Sequence, residues 1–126
     1  MLTERRAHAT LPSQDPGTLR RFYEDILGFR PFAEVQGAVL YRAGDGSLFA
    51  ISRTTITARG GHTQMAFTVP DIDVELAELR ARGVVFERYE SPQTVGGIAR
   101  IGAGRAAWFK DPEANLIGLI QFDQPV

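Results

Sequence analysis

The chain has 126 residues, a formal net charge of −1, two histidines and no cysteine. Without thiols there are no disulfides, thiolate zinc sites, iron–sulfur clusters or cysteine nucleophiles, and two imidazoles exclude a single-chain site needing three. The near-neutral charge lacks the basic footprint of a nucleic-acid binder, and no apolar run approaches the ~20 residues of a membrane-spanning helix. The charged start Met1–Arg6 has no apolar stretch behind it, so it is not read as a secretory signal and the cytoplasm is the expected location. One compact domain over 1–126 is expected at this length.

In chain order, Arg6 to Leu11 alternates weakly and reads as a strand ended by Pro12 and Ser13. Asp15-Pro16 predicts a helix start, with Asp as N-cap and proline where its missing N–H costs nothing. Leu19, Phe22, Tyr23 and Ile26 then form one apolar stripe, and Gly28 is the expected stop. Strands follow over Phe29 to Val35, Ala38 to Ala43 and Leu48 to Arg53, the last two joined by the hairpin signal Gly44-Asp45-Gly46.

Thr54 to Gly61 reads as a linker, and then the order repeats. His62 to Val69 is a predicted strand. Asp71 opens a helix with Ile72, Leu76 and Leu79 on one face, stopped by Gly83. Val84 to Tyr89 is a predicted strand and Ser91 to Gly97 a loop, with Ile98 to Gly102 open between strand and turn. Strands over Gly104 to Lys110 and Leu116 to Phe122 flank the turn Asp111–Asn115. His8 to Asp15 matches Gln64 to Asp71, an internal duplication with a period of about 56 residues. The chain thus divides into two βαβββ modules, 1–57 and 58–126, an α+β fold in which neither module buries its sheet face alone.

The sequence resembles the vicinal oxygen chelate superfamily of glyoxalases, extradiol dioxygenases, fosfomycin-resistance enzymes and bleomycin-resistance proteins. The residues that carry the resemblance are His8 to Asp15, Phe22-Tyr23-Glu24-Asp25-Ile26-Leu27-Gly28-Phe29, Met65 to Val69, and Trp108-Phe109-Lys110-Asp111-Pro112 through Ile117. The resemblance implies a curved mixed-sheet cup, made by the two modules, that holds a small ligand. It also implies a homodimer.

Metal-using members place up to four ligands in the cup, two from each module. By the resemblance, those positions fall on His8, Ala50, Gln64 and Gly118. Imidazole is a good donor, an amide a weak one, and alanine and glycine supply none. His62, two residues before Gln64 and about 6.7 Å away along a strand, is a weak additional candidate for a relocated metal; a surface role is its plainer reading. Strand parity turns His8, Thr10, Ala50, Ser52, Gln64, Ala66 and Gly118 toward the cup, and Leu11, Ile51, Met65, Phe67 and Leu119 toward the helices.

Trp108 is the chosen stacking surface for a ligand, with core packing as its alternative. Arg42, Arg53, Arg100 and Arg105 could meet an anion, solvated surface being the default for each. Gly96-Gly97 and Gly102-Ala103-Gly104 read as a mobile loop over the mouth of the cup. The expected function is metal-free binding of a small organic or antibiotic-like molecule by His8, Thr10, Ala50, Ser52, Gln64, Trp108 and Gly118, with no cofactor. Two alternatives stand beside it. One is a divalent-metal lyase, isomerase or dioxygenase built around His8; the other is a metal-free enzyme with His8 as general base.

Overall fold

Asp15 opens the first helix as its sequence predicts. Its carboxylate accepts from the Thr18 N–H at 3.3 Å and from the Thr18 hydroxyl at 2.7 Å, while Pro16 sits in the first turn. The computed structural model describes residues 1–55 and 61–124, and these fall into two compact units, Met1–Ala58 and Arg59–Val126. The middle of the predicted linker, residues 56–60, lies outside the described residues, as does the boundary between the predicted modules.

Unit 1 runs β1 (Ala9–Ser13), α1 (Pro16–Arg21), β2 (Pro31–Val35), β3 (Ala38–Arg42) and β4 (Leu48–Arg53). A π-helical turn, Phe22–Ile26, continues α1, and Gly28 ends it at a φ of 84° that other residues rarely adopt. The sheet order is β1-β4-β3-β2, with β1 parallel to β4 and the other pairs antiparallel. The first strand is displaced from its predicted span. It starts three residues later than Arg6 and carries Pro12 and Ser13 inside it, paired with Ser52 and Arg53. β1 is the edge strand in this sheet order, so Pro12 can sit in it without breaking the ladder to β4.

One face of this sheet holds the unit's core. Leu11, Val39, Tyr41, Phe49 and Ile51 are buried with Leu19 and Tyr23 of the helical segment. The Phe49 ring stacks on Tyr41 at 5.1 Å and meets Phe29 edge-on at 5.0 Å, spacings typical of favourable aromatic pairs. Polar atoms at the rim are satisfied. The Tyr41 hydroxyl donates to Glu24 at 2.7 Å, and Arg20 pairs with both Glu24 and Glu34.

Unit 2 runs β5 (Met65–Thr68), α2 (Ile72–Ala81), β6 (Thr94–Val95), β7 (Ile98–Ile101), β8 (Gly104–Lys110) and β9 (Leu116–Phe122). Its sheet order is β5-β9-β8-β7-β6, again with the first and last strands parallel. Asp71 caps α2 through the N–H groups of Asp73 and Val74. Ile72 and Leu76 are buried, as are Phe109, Ile117 and Leu119 of the sheet. β8, β9 and the Asp111–Asn115 turn stand where the sequence puts them. In that turn the buried Asp111 carboxylate accepts from the N–H groups of Glu113 and Asn115 and from the Asn115 amide.

Three expectations for this half are corrected. Val84 to Tyr89 alternates like a strand, with Val84 and Phe86 buried and Val85 exposed, yet it makes one bridge only, Phe86 with Phe109. The reason is competition for the outer edge of β8. β7 occupies that edge over Gly104–Ala106, leaving only the far end for Phe86 and for the Glu87 N–H to the Trp108 carbonyl. The supposed loop Ser91 to Gly97 contains β6, and Ile98 to Gly102 resolves as β7. Gly96-Gly97 and Gly102-Ala103 are therefore tight hairpin turns rather than parts of one long loop. Gly96 and Gly97 have φ of 62° and 86°, the conformation a two-residue hairpin needs. Lastly, β5 starts at Met65, so His62 and Gln64 precede the strand instead of sharing one of its faces.

Candidate functional site

In each unit, the sheet face away from the helix carries the predicted site positions in register. In unit 1, Thr10 pairs with Ala50, which pairs with Leu40 on its other side; Ser52 pairs with Pro12 and Ala38. Ala50 is buried, Ser52 half-buried, Thr10 and His8 exposed. His8 lies one residue before β1. In unit 2, Ala66 pairs with Gly118, and Gly118 with Trp108. The row Thr10–Ala50 therefore repeats as Ala66–Gly118, which places Ala50 and Gly118 at equivalent points on their parallel-paired strands.

Unit 2 holds the more detailed constellation. The Trp108 indole lies across Gly118. A Cβ built on Gly118 would stand 3.6 Å from Trp108 Cδ1, 3.5 Å from Ala66 Cβ and 3.3 Å from Thr63 Cγ2. The indole Nε1–H donates to Thr63 Oγ1 at 3.2 Å, and Tyr89 meets the indole edge-on at 5.5 Å. Burial pushes the Tyr89 hydroxyl pKa up, reinforced by the charge of Glu87, so this ring is neutral at physiological pH. Tyr89 also lines a hollow of about 480 Å³ with Arg80, Arg88, Thr94 and the Gly96-Gly97 turn.

Gln64 is engaged within unit 2, its side-chain oxygen included. Its backbone N–H donates to the Leu116 carbonyl at 2.9 Å, and its side-chain oxygen accepts from the Leu116 N–H at 3.3 Å. The amide thus extends the β5–β9 pairing by one residue. His62 is exposed. Among the described residues no three His, Cys, Asp or Glu side chains cluster as metal ligands.

The arginines named as anion candidates are engaged, Arg53 by its charge acting on Asp15. Arg100 pairs with Asp123, Arg105 with Asp73 at 3.0 Å, and Arg42 lies 4.5 Å over the Phe32 ring; Arg53 is exposed. The sequence reading omitted Thr63 and Tyr89. Nothing in the sequence led to Thr63, because its bond to the indole is exposed and burial there demands no acceptor.

A family model described as Glyoxalase/Bleomycin resistance protein/Dioxygenase superfamily matches residues 5–119. No curated protein sequence matches significantly. Among solved structures, the chain is similar to TnmS3, an antibiotic-binding protein from Streptomyces sp. CB03234, with 24% identity, a TM-score of 0.70, and 98% of this chain and 99% of that one covered. It is similar to an integron cassette protein from the mobile metagenome of V. cholerae at 20% identity and a TM-score of 0.68, covering 95% and 96% of the two chains. It also resembles a mutant of the fosfomycin resistance protein FosX from Listeria monocytogenes, complexed with Mn(II) and a dihydroxypropylphosphonic acid. That match has 19% identity and a TM-score of 0.66, over 93% of this chain and 89% of that one. At these identities the solved structures speak for the fold. No helix among the described residues is long and apolar enough to cross a membrane.

Proposed function

Because the chain belongs to the Glyoxalase/Bleomycin resistance protein/Dioxygenase superfamily, we propose that it binds a small, partly aromatic organic molecule of the antibiotic kind, without a metal. One observation carries this reading. The position where a metal-using relative would offer a carboxylate is Gly118, and the Trp108 indole lies over it. A divalent metal needs several deprotonated oxygen or nitrogen donors. Ala50 and Gly118 have none, and the Gln64 oxygen already accepts from Leu116. In unit 1, His8 is the one donor at the expected positions, and one imidazole does not hold a catalytic metal. These residues do not fit the metal that the FosX complex contains.

An indole beside a glycine of the neighbouring strand offers a ring to stack on. Tyr89 forms an edge wall, and the small, exposed Ala66 on β5 leaves room for a ligand. The antibiotic-binding TnmS3, with the same fold, supports the ligand class. We take the protein to act as a homodimer, as the family resemblance implies.

Native mass spectrometry with elemental analysis of untagged protein tests the reading. The expected result is a dimer with less than stoichiometric divalent metal, whose Trp108 fluorescence is quenched by aromatic antibiotics. A tightly bound metal at one per chain, lost in His8→Ala, overturns it in favour of the metal-dependent enzyme.

A further inference from the structure

Trp108 is the single tryptophan of the chain, and its hold on the sheet is narrow. An indole on a strand has rotamer freedom about two side-chain bonds, and a stacking platform works only if that freedom is removed before the ligand arrives. Two groups remove it here. Tyr89 stands at one edge, and Thr63 fixes the rotation through its hydroxyl, 3.2 Å from Nε1. Thr63 makes a second contact in the same place. Its methyl is 3.3 Å from where a Gly118 Cβ would be, so the side chain closes the space on β9 beside the indole.

Thr63 comes from the segment before β5, 45 residues away from Trp108 in sequence. Its neighbour Gln64 is pinned to Leu116 by both a backbone and a side-chain hydrogen bond. That double tether holds the Thr63 backbone against the start of β9, on the strand that contains Gly118. The chain between the tether and the hydroxyl is one residue long, so Thr63 can present its oxygen to the indole without paying for a long flexible reach.

We infer that Thr63 is the positioning residue of the ligand platform: it orients Trp108, and through Trp108 it sets affinity for a planar aromatic ligand. Gln64 serves the same end from one residue away, as the anchor of Thr63. This role rests on the stacking function given above, but its first consequence concerns the ligand-free protein.

The test compares Thr63→Val, which keeps the shape and removes the hydroxyl, with Thr63→Ser, which keeps the hydroxyl and removes the methyl. Trp108 emission and acrylamide quenching are read on ligand-free protein, with circular dichroism melts to confirm folding. Thr63→Val is expected to move the emission to longer wavelength and raise quenching, because the indole N–H turns to water. Thr63→Ser is expected to match the parent. Binding of anilinonaphthalene sulfonate is then expected to weaken roughly three- to tenfold in Thr63→Val, the factor that goes with one lost hydrogen bond, and to recover in Thr63→Ser. A folded Thr63→Val with parental emission and quenching overturns the assignment, as does an equal change in both variants, which would show that the hydroxyl is not what orients the indole. If the parent fails to bind the probe while the emission pattern holds, the stacking function fails and the positioning role of Thr63 stands.

Discussion

A carboxylate put back at position 118 measures how firmly the indole holds its place. A first substitution, Gly118→Ala, adds one carbon, 3.3 Å from Thr63 Cγ2 and 3.5 and 3.6 Å from Ala66 Cβ and Trp108 Cδ1. Only the first contact is tight, and relieving it costs a few tenths of a kcal/mol. Against that, alanine in a strand is favoured over glycine by about 0.5–1 kcal/mol. The two nearly cancel, and Gly118→Ala is expected within about 0.5 kcal/mol of the parent.

Gly118→Glu adds a longer side chain into the same space, so the indole or Thr63 must move. Overpacking of this kind costs about 1–3 kcal/mol, and the lost Trp108–Thr63 hydrogen bond about 0.5–1.5 kcal/mol more. Less the glycine gain, the net is about 0.5–4 kcal/mol, which for a chain of 126 residues lowers Tm by roughly 2–16 °C. Thermal melts by far-ultraviolet circular dichroism, with Trp108 emission recorded on the same samples, give the answer. Manganese at a hundredfold excess over its Kd would raise stability by about 2.7 kcal/mol if it bound, and no such rise is expected in Gly118→Glu. A Gly118→Glu protein that melts with the parent and keeps its Trp108 emission would refute the argument that the indole fills this place; a clear manganese shift would refute the argument about the donor set.

Trp108→Ala is expected to weaken binding of aromatic ligands at least about tenfold, as loss of a central aromatic anchor does, measured by isothermal titration calorimetry. Asp111→Ala removes an acceptor of three hydrogen bonds at a site only 4% exposed; a loss of about 2–4 kcal/mol in urea unfolding is expected. The acid side of the stability profile involves Glu24. Burial pushes its carboxyl up, but hydrogen bonds from Arg20 and Tyr41 outweigh it and hold the group below its ordinary 4.5. Its contribution is therefore present above that value and lost as pH falls through the lowered one, and Glu24→Gln should flatten Tm across the acid range. Tyr41 shifts the other way: burial, then the bond to Glu24, raises its hydroxyl well above the ordinary 10. Its contribution is complete below pH 10 and lost as the pH climbs through the raised value, and Tyr41→Phe should remove that alkaline loss while costing about 1.5–3 kcal/mol at neutral pH.

The elements that local chemistry specifies were legible without coordinates. Asp15-Pro16 and Asp71 start their helices because a side-chain oxygen within three residues satisfies the first free N–H groups. Gly28 and Gly83 stop them because each takes a positive φ. β4, β8 and β9 follow from apolar alternation bounded by turn residues, and the family resemblance from the spacing of those same signals. The motif Asp-Pro-x-x-Asn that marked the family turns out to build a turn, with its carboxylate spent on backbone N–H groups.

What tertiary structure decided lies where a group has several chemically equal partners. Val84–Tyr89 and Ile98–Ile101 both carry a strand pattern, and only the edge of β8 chose between them. Gln64 had the polarity of a ligand, and the folded chain gave its oxygen to Leu116. Thr63 carried no local signal, because its partner lies 45 residues further on. The sequence by itself determined the repeat, the helix ends and the absence of donors at Ala50 and Gly118, since those depend on residue identity and near neighbours. It could not determine that an indole, aimed by a threonine, lies over Gly118, because a hydrogen bond between distant residues exists only once the chain has closed on itself.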